Sequence, residues 1–198
     1  MLNYIDKMAD ALVDVLKYSN STVEWVEAGD LKKDDGVLAK WFYPALRNGE
    51  NSEITAILQY TQQAGAFDAI GELILGIALV EMKHLATIRD IVIALGGELP
   101  QPYDSRKVEI GTTVSEALML GIHGEIAAIE LYLSIIDRLT IESESTQIAR
   151  QLLHKLVADE SLHLKLINDK AVELIGDEYA TMVHPYRGKL KFYTMQYS

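Results

Sequence analysis

The chain has 198 residues, 49% of them apolar and 24% charged, and no cysteine. That length buries a core without covalent or zinc staples, the apolar content excludes disorder, and the missing thiols exclude disulfide scaffolds, Cys-ligated zinc, iron–sulfur centres and thiol catalysis. With 18 Lys+Arg against 29 Asp+Glu the net charge is −11, which repels phosphate backbones and anionic lipid surfaces, so neither nucleic acid nor membrane is expected as a partner.

The N-terminal residues are amphipathic and acidic, without the basic segment and apolar run of an export signal. Ile5, Met8, Leu12 and Leu16 fall on one stripe, and the spacing predicts a short helix over 2–18. Residues 19–49 are irregular, broken by Gly29, Gly36, Pro44 and Gly49 around the bulky Trp41-Phe42-Tyr43. From there helical periodicity dominates. The pattern predicts helices over 51–64, closed by Ala64-Gly65, and over 67–95, closed by Gly96-Gly97. A Pro- and Gly-rich loop follows over 96–111. A third helix is expected over 113–140 with Thr112 or Thr113 as N-cap, and a fourth over 144–175, closed by Gly176. The aromatic tail, 177–198, gives no structural expectation. The most apolar run, 70–80, contains Glu72 and is too short to span a bilayer. A cytoplasmic, soluble protein is expected.

Loop lengths set the topology. Short turns make the first and second helices one antiparallel hairpin, and the third and fourth another. The connection between the hairpins has about 16 residues and reaches roughly 50 Å when extended. A 28-residue helix is about 42 Å long, so this loop can return along the whole stack. The fold class is all-α: an antiparallel four-helix bundle with one long crossover over 49–176, an N-terminal helical extension over 1–48 and a tail over 177–198.

The two hairpins repeat one another. Each carries a Glu with a Tyr seven residues on, Glu53/Tyr60 and Glu125/Tyr132, followed by Glu-x-x-His, Glu81/His84 and Glu160/His163. With 16 Glu in 198 positions, two such pairs among five histidines at matching points of two hairpins exceed what chance supplies. Glu53 and Glu81 are centred on residue 67, and Glu125 and Glu160 on the 142–143 turn, so each Glu lies level with its partner Glu-x-x-His. Residues three apart on a helix lean into one groove.

All six lie on apolar stripes: Ile74, Ile77, Leu85 and Ile88 flank Glu81, Leu153, Leu156, Leu164 and Ile167 flank Glu160, and Leu118, Ile122, Ile129 and Ile136 flank Glu125. Four buried carboxylates without partners would cost several kcal/mol each. Two divalent cations balance four Glu⁻ and two neutral His, and this layout is that of di-iron and di-manganese carboxylate bundles.

Residues 50–175 thus resemble the ferritin-like superfamily, nearest to its rubrerythrin-like and bacterioferritin-like di-iron proteins. The resemblance implies Glu53, Glu81, His84, Glu125, Glu160 and His163 as metal ligands. This chain has no Cys for the rubredoxin-like domain that rubrerythrins usually add, and it has Ala128 where they place an extra carboxylate. Tyr60 and Tyr132 read either as core tyrosines or as hydrogen-bonding or radical-relay groups beside the ligands. Asp159 either orients a histidine on a neighbouring helix or is solvated. Gly121, Gly124, Ala127 and Ala128 leave a channel for a small oxidant or serve close helix packing. His123, His154 and His184 lack the motif, and Glu130 lies on another face.

Ligand chemistry favours two Fe ions, with Mn as an alternative and Zn in purified protein. The expected function is a di-iron oxidoreductase of peroxidase or ferroxidase type, reacting with hydrogen peroxide or O2 and drawing on an external electron donor. Alternatives are iron storage in an oligomer, a manganese catalase, an oxygenase of an organic substrate, and a metal-free scaffold. A homodimer or larger homo-oligomer is the default.

Overall fold

The computed structural model describes residues 15–47, 49, 52–100 and 108–196. Within them the chain is helical and has no strand: α1 (Tyr43–Leu46), α2 (Glu53–Ala66), α3 (Gly71–Ala94), α4 (Val114–Ile136), α5 (Glu144–Ile175), α6 (Tyr179–Met182) and α7 (Arg187–Gln196), with short 3-10 turns between them.

Local chemistry explains where the long helices start and stop. The Ser52 side chain accepts from the Thr55 N–H and caps α2. This helix runs through Gly65 instead of stopping at Ala64-Gly65. It ends at Phe67, whose extended backbone breaks the pattern while its N–H bonds the Gln63 carbonyl. The turn therefore takes residues 67–70, and α3 starts four residues later than the periodicity suggests.

At its far end α3 closes with a Schellman motif. Gly96 has φ +69°, its N–H bonds the Ile93 carbonyl at 2.9 Å, and the Gly97 N–H bonds that of Val92 at 2.8 Å. Thr113 caps α4 by accepting from the Glu116 N–H. That helix stops at Ile136, four residues short of the expected end. The chain tightens there into i→i+3 bonds, and Arg150 anchors the turn by donating to the Leu139 carbonyl at 2.9 Å. A Ser143–Thr146 capping box opens α5, which ends at Gly176 as expected.

Contacts between the hairpins fix their directions. The Tyr60 hydroxyl donates to Glu125, and Gln63 Nε2 donates to the Ala117 carbonyl, so α2 and α4 run antiparallel. His84 meets Asp159 while Glu81 meets His163, so α3 and α5 are antiparallel too. It follows that α3 and α4 point the same way; of the loop expected over 96–111, residues 101–107 lie outside the described residues.

The expected stripes form the core. Ile74, Ile77, Ile88, Leu118, Ile122, Ile129, Leu153, Leu156, Leu164 and Ile167 are fully buried. Leu85 and Ile136 are only partly buried against them.

Most of the helix expected over 2–18, including Ile5, Met8 and Leu12, lies outside the described residues. Its last part corrects the expectation: Val15–Tyr18 is a 3-10 turn, with Leu16 81% exposed and Tyr18 buried instead. Beyond it the chain lies against α3 and α5, and Ala28, Leu31, Val37, Phe42 and Leu46 join the main apolar cluster. Over residues 177–196 the tail is helical. Tyr179, Val183, Leu190 and Tyr193 pack onto the core, and Lys189 pairs with Glu130 at 2.6 Å.

One helix among the described residues, α4, is long and apolar enough to cross a membrane by length and composition, although the apolar run at 70–80 is not. Core helices of soluble proteins pass the same test, and α4 carries a buried glutamate into the cluster described next.

Candidate metal centre

Four helices each bring one motif to a common level. Glu53 is the first residue of α2, Glu81 and His84 lie in the middle of α3, Glu125 in α4, and Glu160 and His163 in α5. None of the six is more than 2% exposed. They fall into two groups whose ligand atoms lie within 4.8 Å of one another: Glu53, Glu81, His84 and Glu160, and Glu81, Glu125, Glu160 and His163. Glu81 and Glu160 belong to both. The buried Glu and His side chains can therefore hold metal, with two carboxylates shared between two positions.

Both imidazoles turn the same nitrogen inward. His84 Nδ1 lies 2.9 Å from Glu81 Oε2, 3.2 Å from Glu160 Oε1 and 3.7 Å from Glu53 Oε2. His163 Nδ1 lies 2.9 Å from Glu81 Oε1, 3.1 Å from Glu160 Oε2 and 3.7 Å from Glu125 Oε2. The outward nitrogens are held differently. His84 Nε2 meets Asp159 Oδ2 at 3.2 Å, and His163 Nε2 donates to the Tyr18 carbonyl at 2.9 Å. In the neutral rings that a metal requires, outer hydrogen bonds of this kind place the proton on Nε2 and leave the Nδ1 lone pair facing the cluster.

Without a cation, protons bind this assembly. Burial and the neighbouring Glu81 push Glu53 well above the usual carboxylate range, and burial and Glu160 do the same to Glu125. Glu81 moves the other way: burial opposes its charge, but His84 and His163 outweigh that and hold it well below the range. Burial also opposes the charge on the two histidines. The surrounding carboxylates, led by Glu160 for His84 and by Glu81 for His163, win and raise both well above the usual imidazole value.

The hydrogen-bond inventory tests the donor set against a metal. Glu53 Oε1 is buried without a hydrogen bond, and Glu81 Oε1 and Glu160 Oε1 are buried with no partner outside the cluster. The last two only abut histidine nitrogens, which are themselves donors to metal. A buried oxygen without a partner is rare in folded proteins, and a cation in the cluster would satisfy Glu53 Oε1 and replace the histidine protons beside the other two. The all-oxygen-and-imidazole set suits iron, manganese or zinc.

The two tyrosines part company. Tyr60, fully buried, donates to Glu125 Oε1, and burial with the Glu125 charge raises its phenol well above the usual value. The Tyr132 hydroxyl is buried with no partner. Asp159 orients His84, one of its two sequence readings. His123, His154 and His184 belong to neither group, and Glu130 pairs with the tail at the surface.

Sequence reasoning missed what stands behind Asp159. Lys155, 1% exposed, places its Nζ 2.8 Å from Asp159 Oδ1 and 3.0 Å from Ser19 Oγ, and also donates to the Asn20 carbonyl. The Asn20 N–H donates to the same Asp159 oxygen. The Lys155–Asp159 spacing was visible as an i,i+4 pair, but such pairs usually mark a solvated face. Tyr18 and Asn20 act through their backbones, which leave no residue signature. A narrow crevice of about 20 Å³ opens onto the cluster between α2 and α4, with Ala56, Gln59, Gly124 and Ala128 in its walls.

Comparison of the chain with protein-family models, with curated proteins and with solved structures gave no match.

Proposed function

We propose that the chain is a ferritin-like four-helix bundle whose buried cluster holds two metal ions, iron in the cell, and that it is a di-iron oxidoreductase reacting with hydrogen peroxide or O2. The observation that carries this reading is the pair of four-ligand groups sharing Glu81 and Glu160. Glu53 and His84 would complete one position, and Glu125 and His163 the other. When bound as Fe(II), the pair would supply two electrons to a small oxidant.

The chain's own residues support that task. The apolar stripes exclude bulk water. The outer hydrogen bonds fix both imidazoles with Nδ1 inward, and Tyr60 holds Glu125 while carrying a proton at its hydroxyl beside the cluster. The crevice is on the scale of a single water molecule. This favours a diatomic or peroxide oxidant over an organic substrate. The chain has no cysteine for a second iron centre, so we place the electron donor outside it. The same donor set takes Mn(II), so a manganese catalase is the competing assignment.

Metal content after anaerobic loading with Fe(II) tests the reading. The wild type is expected to retain two irons per chain, and Glu81→Ala/His163→Ala clearly fewer. If both proteins retained none, the bundle would be a scaffold and the redox function would be abandoned. If loaded, reduced protein turned over neither oxidant, the oxidoreductase assignment would fail.

Access gives a second prediction. Ala128→Leu replaces no ligand and fills the crevice. It should leave two irons bound and slow reoxidation by peroxide in stopped-flow measurements. Unchanged reoxidation would mean that oxidant arrives by another path.

A further inference from the structure

The two halves of the cluster repeat in sequence but not in how they are backed. His84 leans on a carboxylate: Asp159 accepts from its Nε2 and is held by Lys155, by Ser19 Oγ at 3.2 Å and by the Asn20 N–H. His163 leans only on a peptide carbonyl, that of Tyr18. A carboxylate acceptor makes an imidazole a stronger donor to metal than a neutral carbonyl does. The terminal carboxylates differ in the same sense. Tyr60 donates to Glu125 and competes with a metal for its oxygen, whereas Glu53 Oε1 has no hydrogen bond and the Tyr132 hydroxyl makes none.

Both differences favour the same position, and three consecutive residues outside the four long helices create much of the contrast. We infer that residues 18–20 are a positioning strap that backs both histidine ligands and makes the two metal positions unequal, so that the Glu53–His84 position fills before the Glu125–His163 position.

The strap's seat is visible. Tyr18 is buried, and its ring lies flush on Gly76 of α3, where an added Cβ would come within 2.0 Å of Tyr18 Cε2. Any side chain at residue 76 must therefore displace the ring, and with it the carbonyl that His163 uses. Glycine in mid-helix otherwise weakens α3, so the close approach of Tyr18 accounts for its place there.

This inference rests on the di-metal reading, and anaerobic titration with Co(II), followed by visible absorption, separates the two. The wild type should bind two equivalents in two resolved steps. Asp159→Asn should weaken the tight step by about 10–100-fold and leave the weak one, the usual effect of losing an outer partner of a ligand. Gly76→Ala should do the reverse and weaken the second step. Tyr18→Leu and Ser19→Ala serve as second probes of the two backings if either variant fails to fold, since Tyr18→Leu keeps an apolar side chain in that buried seat. Two equivalents of equal affinity in the wild type, or variants that shift both steps alike, would overturn the unequal strap and leave the di-metal reading standing. No Co(II) bound by the wild type would overturn both.

Discussion

Raising the pH from 7 to 9 is expected to destabilise the metal-free protein and to strengthen its stabilisation by metal. His84 and His163 are raised well above 6.5 in the folded chain. Their contribution to stability is complete below 6.5 and is lost as pH climbs through the raised values. Between those limits the folded state holds protons that the unfolded state has released, so stability falls by about 1.4 kcal/mol per pH unit for each retained proton. Glu53 and Glu125 are also raised, and they add to the fall from about 4.5 upward. Glu81 and Asp159 are lowered, so their contribution appears above the ordinary carboxylate range and is lost on acidification. The metal-free protein should therefore be most stable on the mildly acidic side of neutrality. Metal must displace the same protons, so its binding tightens as pH rises. Urea melts at several pH values, with chelator and with Co(II), check both trends. A flat profile for the metal-free protein would refute the proton-loaded cluster.

Lys155→Met is expected to cost about 3–5 kcal/mol, the range for removing one partner of a buried ion pair and leaving the other charge uncompensated. Lys155 is 1% exposed, and its ammonium holds Asp159, Ser19 and Asn20 together. Lys170→Ala, which breaks the surface pair with Glu173, should change stability by no more than about 1 kcal/mol. The Lys155→Met/Asp159→Asn double variant should cost less than the sum of its parts, because neutralising Asp159 removes the stranded charge. Urea midpoints give all four numbers. A Lys155→Met variant as stable as Lys170→Ala would mean that water reaches Asp159.

How much of this was legible follows from what leaves a trace in residue types. Helical period is written in side chains, and Leu153, Leu156, Leu164 and Ile167 lie on the buried face that their spacing announces. The meeting of Glu53 with Glu81 and of Glu125 with Glu160 was legible too, because a short turn makes distance from the turn equal to height on the stack. Helix ends were less so. Phe67 stops α2 with its backbone conformation, and Arg150 closes the end of α4 through a carbonyl, neither of which a residue pattern shows. The strap at 18–20 was invisible for the same reason: residues 18 and 20 serve the site through peptide groups. The pairing of Asp159 with His84 could be suspected from position alone. The Lys155 behind it was hidden because the same spacing on an exposed helix would mean nothing.

The hydrogen bonds from Ser19 and Asn20 to Asp159 join residues about 140 positions apart, and this has a consequence for biosynthesis. A ribosome delivers Glu53, Glu81 and His84 well before Glu160 and His163. At about 5–20 residues per second, roughly 4–16 s separate His84 from His163. During that interval the emerged half has its carboxylates and one imidazole but neither the opposing pair nor the aspartate that orients that imidazole. The first hairpin waits with its acidic face uncovered while the second is made. Any metal held in the finished geometry must therefore await the arrival of α5, which carries Glu160, His163 and Asp159.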